Sequence, residues 1–288
     1  MCRHLAYVGE PVTIASIVID PPHSLFRQAW EPRRQRHGIM NADGFGIGWY
    51  ADGDPVPARY RRAGPIWSDE SVTDLARVTR SRAMLCAVRS ASPGTGAEAS
   101  AAAPYAAGRW LFSLNGVLRG WSAAAGGGTA PGRYRPQAAA TGQAGGQAGG
   151  PAAGDEDAEA AAVLRLAESL TPAELLGLQA RCDTALLWAL TQRRLRDGQP
   201  MPDALAGTIG ELRAAGATGR FNLLLTDGTA IAATAAGDTL CYRQRPGGVL
   251  VASEPYDDDD DWEEVPPGSV LEATPAAVTI RPLPTTTR

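Results

Sequence analysis

The chain has 288 residues, of which 44% are hydrophobic and 20% charged, with a formal net charge of -4. That is ample apolar material for the buried core of one domain, and the mild acidity argues against nucleic acid or an anionic membrane as partner. Its four cysteines stand singly with no C-x-x-C spacing, which excludes a sequence-encoded zinc site or disulfide framework. Every basic residue is arginine, the mark of a coding bias that also enriches Ala, Gly and Pro. No apolar run is long enough to span a bilayer, and no charged-then-apolar leader precedes the first predicted strand. The expected address is the cytoplasm.

Residues 2–8 are apolar and end at Gly9-Glu10-Pro11, which predicts a buried first strand with Cys2 at its tip. The small side chain at position 2 favours removal of Met1. A terminal cysteine then carries both a nucleophile and a base, because an α-amine titrates near ~7.7–8.0 and a free thiol near ~8.5. Proton transfer between them is nearly thermoneutral, as general-base activation requires. The alternating glycines of Asn41-Ala42-Asp43-Gly44-Phe45-Gly46-Ile47-Gly48 predict a turn into a strand approached closely by backbone or ligand. A phosphate loop would need a following helix, and Trp49-Tyr50-Ala51-Asp52-Gly53 does not supply one.

Val72, Leu75, Ala76 and Thr79 fall at helical spacing behind a possible Asp69 cap, predicting a helix over 69–80. Met84–Val88 reads as a buried strand ending at Arg89-Ser90-Ala91-Ser92-Pro93-Gly94, and Arg109–Leu114 as another ending at Asn115-Gly116. Two strands that finish in polar and glycine clusters suggest one functional edge. Residues 122–157 are almost entirely Ala, Gly, Gln, Pro and Thr, too poor in apolar area to offset ordering entropy, and are expected to be a disordered insertion in a single domain spanning 2–288. Helices are predicted at 157–170, 172–181, 183–196 and 201–215. A β meander follows, with strands at 221–226, 229–235, 239–243 and 249–253, and two more at 269–273 and 277–281. The acidic run 257–261 lacks calcium-loop spacing and reads as a solvated loop. The order strands, helices, strands favours α+β layers over a doubly wound sheet.

The chemistry-bearing residues are Cys2, Arg89, Asn115, Gly116 and Asp183. A guanidinium binds a carboxylate as a bidentate fork, and an aspartate binds an ammonium. An Asn amide and a Gly N–H can face a developing oxyanion, a contact worth ~3–4 kcal/mol per donor. Together they suit an amide substrate with an amino-acid head group. Taken singly, each has a bland reading: a surface ion pair for Arg89, a hairpin turn for Asn115-Gly116, a helix cap for Asp183. Cys86, Cys182 and Cys241 are expected to be inert core residues.

In Met1-Cys2-Arg3-His4-Leu5, Asn41-Ala42-Asp43-Gly44, Ala87-Val88-Arg89-Ser90-Ala91 and Ala252-Ser253-Glu254-Pro255-Tyr256-Asp257-Asp258-Asp259, the sequence resembles the class II glutamine amidotransferases. These are N-terminal-nucleophile hydrolases with an αββα sandwich. Within them it resembles the subfamily that hydrolyses γ-glutamyl hercynylcysteine sulfoxide in ergothioneine assembly. The resemblance spans nearly the whole chain except 122–157. It implies that Cys2 attacks the γ-amide carbonyl, that Arg89 with Ser92 holds the glutamyl α-carboxylate, and that Asp183 holds the α-ammonium. Asn115 and Gly116 would form the oxyanion hole, and no metal or organic cofactor is implied. The partner is a small γ-glutamyl molecule, whose trimethylammonium end would favour an aromatic wall among Trp30, Trp49, Trp67, Tyr105 and Trp110. One position departs from the family pattern: Leu114 stands where a His usually precedes the Asn-Gly pair, so the hydrogen bonding that orients Asn115 is expected to differ. Two other readings stay open, a glutaminase-type domain supplying ammonia to a separate synthase and a catalytically silent γ-glutamyl-binding relative.

Overall fold

A computed structural model describes residues 2–126 and 153–284. In chain order the elements are β1 (Arg3–Thr13), α1 (Ala15–Val18), α2 (Leu25–Gln28), β2 (Phe45–Trp49), β3 (Ala58–Arg62), α3 (Glu70–Val78), β4 (Arg80–Val88), β5 (Tyr105–Ala107), β6 (Trp110–Leu118) and α4 (Trp121–Ala124). Further along the chain come α5 (Ala153–Glu168), α6 (Pro172–Leu176), α7 (Asp183–Arg196), α8 (Met201–Ala214), β7 (Gly219–Thr226), β8 (Ile231–Ala235), β9 (Cys241–Arg245), β10 (Gly248–Ala252), β11 (Glu263–Glu264), β12 (Ser269–Ala273) and β13 (Val278–Pro282). Most of the 122–157 segment expected to be disordered lies outside the described residues. Its edges are helical, in α4 and at the start of α5.

The strands form two antiparallel sheets. One runs β11-β9-β10-β1-β4-β2-β3 and the other β13-β12-β8-β7-β6-β5. The two-residue period of a strand sorts the core into three layers. On β1, Leu5 and Tyr7 point to a cluster under α1, α2 and α3, whereas Ala6 and Val8 point to the opposite sheet. On β7, Leu224 faces between the sheets, while Leu223 and Leu225 face α7 and α8. Helices thus cover both outer faces, giving the four-layer αββα sandwich expected of this α+β chain.

Local chemistry explains the elements. Asp69 caps α3, its side chain accepting from Ser71 N at 3.0 Å, as the sequence pattern predicted. Thr171 and Glu174 form a capping box on α6, which is a single short turn ending at Leu176, not the helix to 181 that periodicity suggested. Gly46 is required by close packing: a Cβ there would collide with the Ala103 carbonyl. The alternating glycines of β2 therefore admit neighbouring backbone and side chains. The acidic run at 257–261 is more than a solvated loop. Asp257 accepts from Arg243 Nη1 at 2.8 Å, and the same guanidinium lies over Tyr256 and Trp262, 4.7 and 4.8 Å from their ring centroids.

His4 joins the sheets. It is fully buried on β1, with Nδ1 3.1 Å from the Ser113 hydroxyl on β6. Burial, reinforced by neighbouring Arg3, lowers its pKa to about 3. His4 is therefore neutral in the folded protein and takes up a proton on unfolding wherever the pH lies between about 3 and its ordinary value of 6.5. In that window the unfolded state binds more protons, so stability falls as pH falls. His4 alone should remove about 1 kcal/mol between about pH 7 and about pH 5.5. Urea unfolding at the two pH values should show this loss, and His4→Gln should reduce the pH dependence by that amount. An unchanged dependence in the variant would contradict the assignment.

Candidate active site

The site is assembled where strand ends of both sheets meet at the start of β1. The alternation that sends His4, Ala6 and Val8 toward the second sheet carries one residue on to Cys2. On β6, Leu111 faces the first sheet, and the same alternation places Ser113 and Asn115 on that face. Asn115 therefore looks into the gap between the sheets, on the side to which His4 points from β1. Cys2 is half-buried, with Sγ 3.9 Å from the Ser90 carbonyl just past the end of β4.

The other thiols are buried. Burial pushes Cys86 up to about 12 and Cys182 up to about 11, and raises Cys241 well above the ordinary thiol range. Cys182 also contacts the Tyr105 hydroxyl at 3.0 Å. Thiolate chemistry at these three is suppressed by desolvation.

Arg89 directly follows β4, where its N–H donates to Gly44 O at 2.7 Å and its carbonyl accepts from Asp43 N at 2.9 Å. Its guanidinium is aimed by Asp43 O at 3.3 Å, Thr95 Oγ1 at 2.9 Å and Gly96 O at 2.9 Å. Asp43 in turn accepts from Ala91 N at 2.8 Å. The Asn41–Gly44 turn thus serves to fix Arg89. Ser92 belongs to the same loop, where its carbonyl accepts from the Thr95 hydroxyl at 2.6 Å. Thr95 therefore links Ser92 to Arg89, a role that a threonine in a loop does not advertise in sequence.

Asp183 is the first residue of α7 and is buried. Its Oδ1 accepts from Thr184 N at 2.8 Å and its Oδ2 from Leu118 N at 3.1 Å on β6. Burial raises its pKa, while hydrogen bonds from Leu118 and Thr184 and the charge of Arg89 pull it down. A guanidinium and a carboxyl close enough to feel one another, each held by backbone partners, match the two charges of an amino-acid head group. An ammonium bound at Asp183 would offset the cost of burying that carboxylate.

Asn115 and Gly116 lie within β6, opposite Asn222 and Phe221 of β7, and not in the turn at a strand end that the sequence suggested. A Cβ at Gly116 would collide with the Arg220 carbonyl, which explains the glycine. Leu114 points the other way, into the cluster under α7. Its side chain lies on the face opposite Asn115 and does not orient the amide. That contact comes from Ser253, just past β10, whose Oγ accepts from Asn115 Nδ2 at 3.3 Å and from His4 N at 3.1 Å.

Glu254 beside it is buried and accepts from the backbone N–H groups of Arg33 and Arg34 at 2.9 and 2.8 Å. It anchors the loop that carries Gln35, whose Oε1 accepts from Arg3 Nε at 3.3 Å and from Asn41 Nδ2 at 3.0 Å. Ser253 and Glu254 are thus functional supports that the sequence offered only as part of a motif. Among the aromatic candidates, Tyr105 is buried in the helix-side core, while Trp30 and Trp67 meet edge to face at 5.6 Å. Among the described residues, no cluster of His, Cys, Asp and Glu could hold a metal ion, and no helix is long and apolar enough to cross a membrane.

No family model matches the chain. The γ-glutamyl-hercynylcysteine sulfoxide hydrolase of Mycolicibacterium smegmatis is 35% identical over 283 residues, which is 98% of this chain and 100% of the relative. The protein of the same name from Mycobacterium tuberculosis is 37% identical, covering 98% of this chain and 97% of its own. Among solved structures, the glutamine aminotransferase class-II domain protein of Silicibacter pomeroyi superposes with a TM-score of 0.60 at 21% identity, covering 99% of this chain and 100% of that one. Glutamine phosphoribosylpyrophosphate amidotransferase of B. subtilis also gives 0.60, at 14% identity, covering 99% of this chain and 50% of that one. At those identities the structural likeness speaks to the fold, and the curated relatives speak to descent. The chain belongs to the γ-glutamyl-hercynylcysteine sulfoxide hydrolase family, and it shares the fold of the class II glutamine amidotransferase structures.

Proposed function

We propose that this protein hydrolyses the γ-glutamyl amide of γ-glutamyl hercynylcysteine sulfoxide, giving glutamate and hercynylcysteine sulfoxide in ergothioneine assembly. The single observation that carries the reading beyond kinship is the grouping of Cys2, Arg89, Asp183 and the Asn115-Gly116 pair at one end of the sandwich. Arg89 holds the α-carboxylate of the glutamyl group, its loop steadied by Thr95 and Ser92, and Asp183 holds the α-ammonium. With the head group fixed at both charges, the γ-carbonyl is presented to Cys2.

The α-amine of Cys2, exposed by loss of Met1, takes the thiol proton. The thiolate adds to the carbonyl, and the tetrahedral oxyanion is met by Asn115 Nδ2 and Gly116 N–H. Collapse breaks the C–N bond, and the amine leaves with the proton held by the Cys2 amine. Water then hydrolyses the γ-glutamyl thioester, regenerating the thiol and releasing glutamate.

Glutamate release from the sulfoxide and from glutamine, measured side by side after intact mass confirms loss of Met1, tests the proposal. Turnover of the sulfoxide well above that of glutamine, abolished by Cys2→Ala, is expected. Turnover of glutamine alone would move the protein to ammonia supply, and turnover of neither would contradict the enzymatic reading.

Arg89→Lys should raise KM about 10-fold or more, because an ammonium replaces the fork that grips a carboxylate and leaves Thr95 and Gly96 without their donor. Steady-state kinetics with an unchanged KM would remove Arg89 from the head-group site.

A further inference from the structure

We propose a positioning role for Ser253: during the reaction its hydroxyl holds Oδ1 of the Asn115 amide, which leaves Nδ2 to face the oxyanion. This rests on the proposed amide hydrolysis. Ser253 is buried, and its own N–H donates to His4 O at 3.0 Å, so it is locked to β1 in backbone register. Its Oγ accepts from His4 N and from Asn115 Nδ2. In that arrangement Nδ2 is occupied, while Oδ1 of the same amide is buried without a hydrogen-bond partner. The polarity is wrong for catalysis. An acceptor oxygen occupies the free arm of the amide, where a developing negative charge needs a donor.

A half-turn about Cβ–Cγ corrects both faults at once. The two arms of an Asn amide are nearly equal in size, and the terminal torsion is broad and two-fold. After the turn, Ser253 O–H donates to Oδ1 while Oγ still accepts from His4 N–H. The orphaned carbonyl oxygen gains a partner, and Nδ2 takes the free arm. A serine can serve in both states because its hydroxyl is donor and acceptor together. Alanine can serve in neither. Leu114, buried on the other face of β6, leaves this task to Ser253.

The decisive variants are Ser253→Ala and Ser253→Thr, assayed on the γ-glutamyl substrate with Cys2 alkylation by iodoacetamide run in parallel. Alkylation forms no oxyanion. Ser253→Ala should lower kcat by about 10- to 100-fold with KM changed less than about 3-fold. Its alkylation rate should match wild type, and Ser253→Thr should recover most of the lost kcat. In an Asn115→Ala background, Ser253→Ala should cost little more, since the two act as a unit. Should the alanine variant not fold, Ser253→Cys carries the same test, its weaker donor giving a smaller loss of kcat at constant KM.

Retention of kcat by Ser253→Ala, or equal losses in kcat and alkylation, would overturn the role. So would a full additional loss in the Asn115→Ala background. Absence of turnover in wild type would instead count against the proposed function.

Discussion

Everything in the site hangs on the two-residue period of β1. The strand is central in its sheet, paired with β4 on one side and β10 on the other. Up to Val8, its even-numbered residues face the second sheet and Leu5 and Tyr7 face the outer helices. A slip of one residue would take His4 away from Ser113 and send it into the apolar layer under α1–α3. Register therefore constrains the candidate site as much as the fold. It is enforced from both sides, by Leu5 opposite Cys86 and Leu5 opposite Ala252.

That register also decides which neighbours lie beside the start of β1. β4 ends opposite the start of β1 and delivers Arg89; β10 ends there too and delivers Ser253 and Glu254. The second sheet contributes Asn115 and Gly116 from β6, and through Leu118 N it holds Asp183 at the start of α7. Each charged group is thus fixed by backbone hydrogen bonds before any substrate arrives. Preorganised dipoles cost no reorganisation at the moment of reaction, and in a partly buried site they act at low effective dielectric. The burial that raises the Asp183 pKa is the cost of that arrangement to the free protein, and under the proposed function a bound ammonium would relieve it.

Much of this was legible in the sequence. Apolar alternation and turn chemistry located the strands of the C-terminal meander and the helices α3, α7 and α8, because those segments are amphipathic or bounded by Gly, Pro and Asp. The resemblance supplied the αββα layers, which the two sheets and their outer helices bear out, and it singled out Cys2, Arg89, Asn115, Gly116 and Asp183 by residue type. What stayed hidden depends on tertiary neighbours. Asn115-Gly116 reads as a turn in one dimension, yet it sits within β6 because the Arg220 carbonyl of β7 packs against the glycine. β3 and β5 are short strands without a strong pattern. Thr95, Ser253 and Glu254 act through partners between 6 and about 250 positions away in the chain, and no local spacing encodes that. The significance of Leu114 was hidden for the same reason: only the facing of β6 reveals that its side chain lies on the opposite face from Asn115.

The central claim is that Cys2 forms a covalent γ-glutamyl thioester. Rapid acid quench of the correctly processed protein with the γ-glutamyl substrate, followed by intact mass and peptide mapping, tests it most directly. A transient adduct of one glutamyl group is expected on the peptide that begins with Cys2, absent in Cys2→Ala and removed by hydroxylamine. Glutamate release with no adduct at any quench time, or an adduct on Cys86, Cys182 or Cys241, would contradict it.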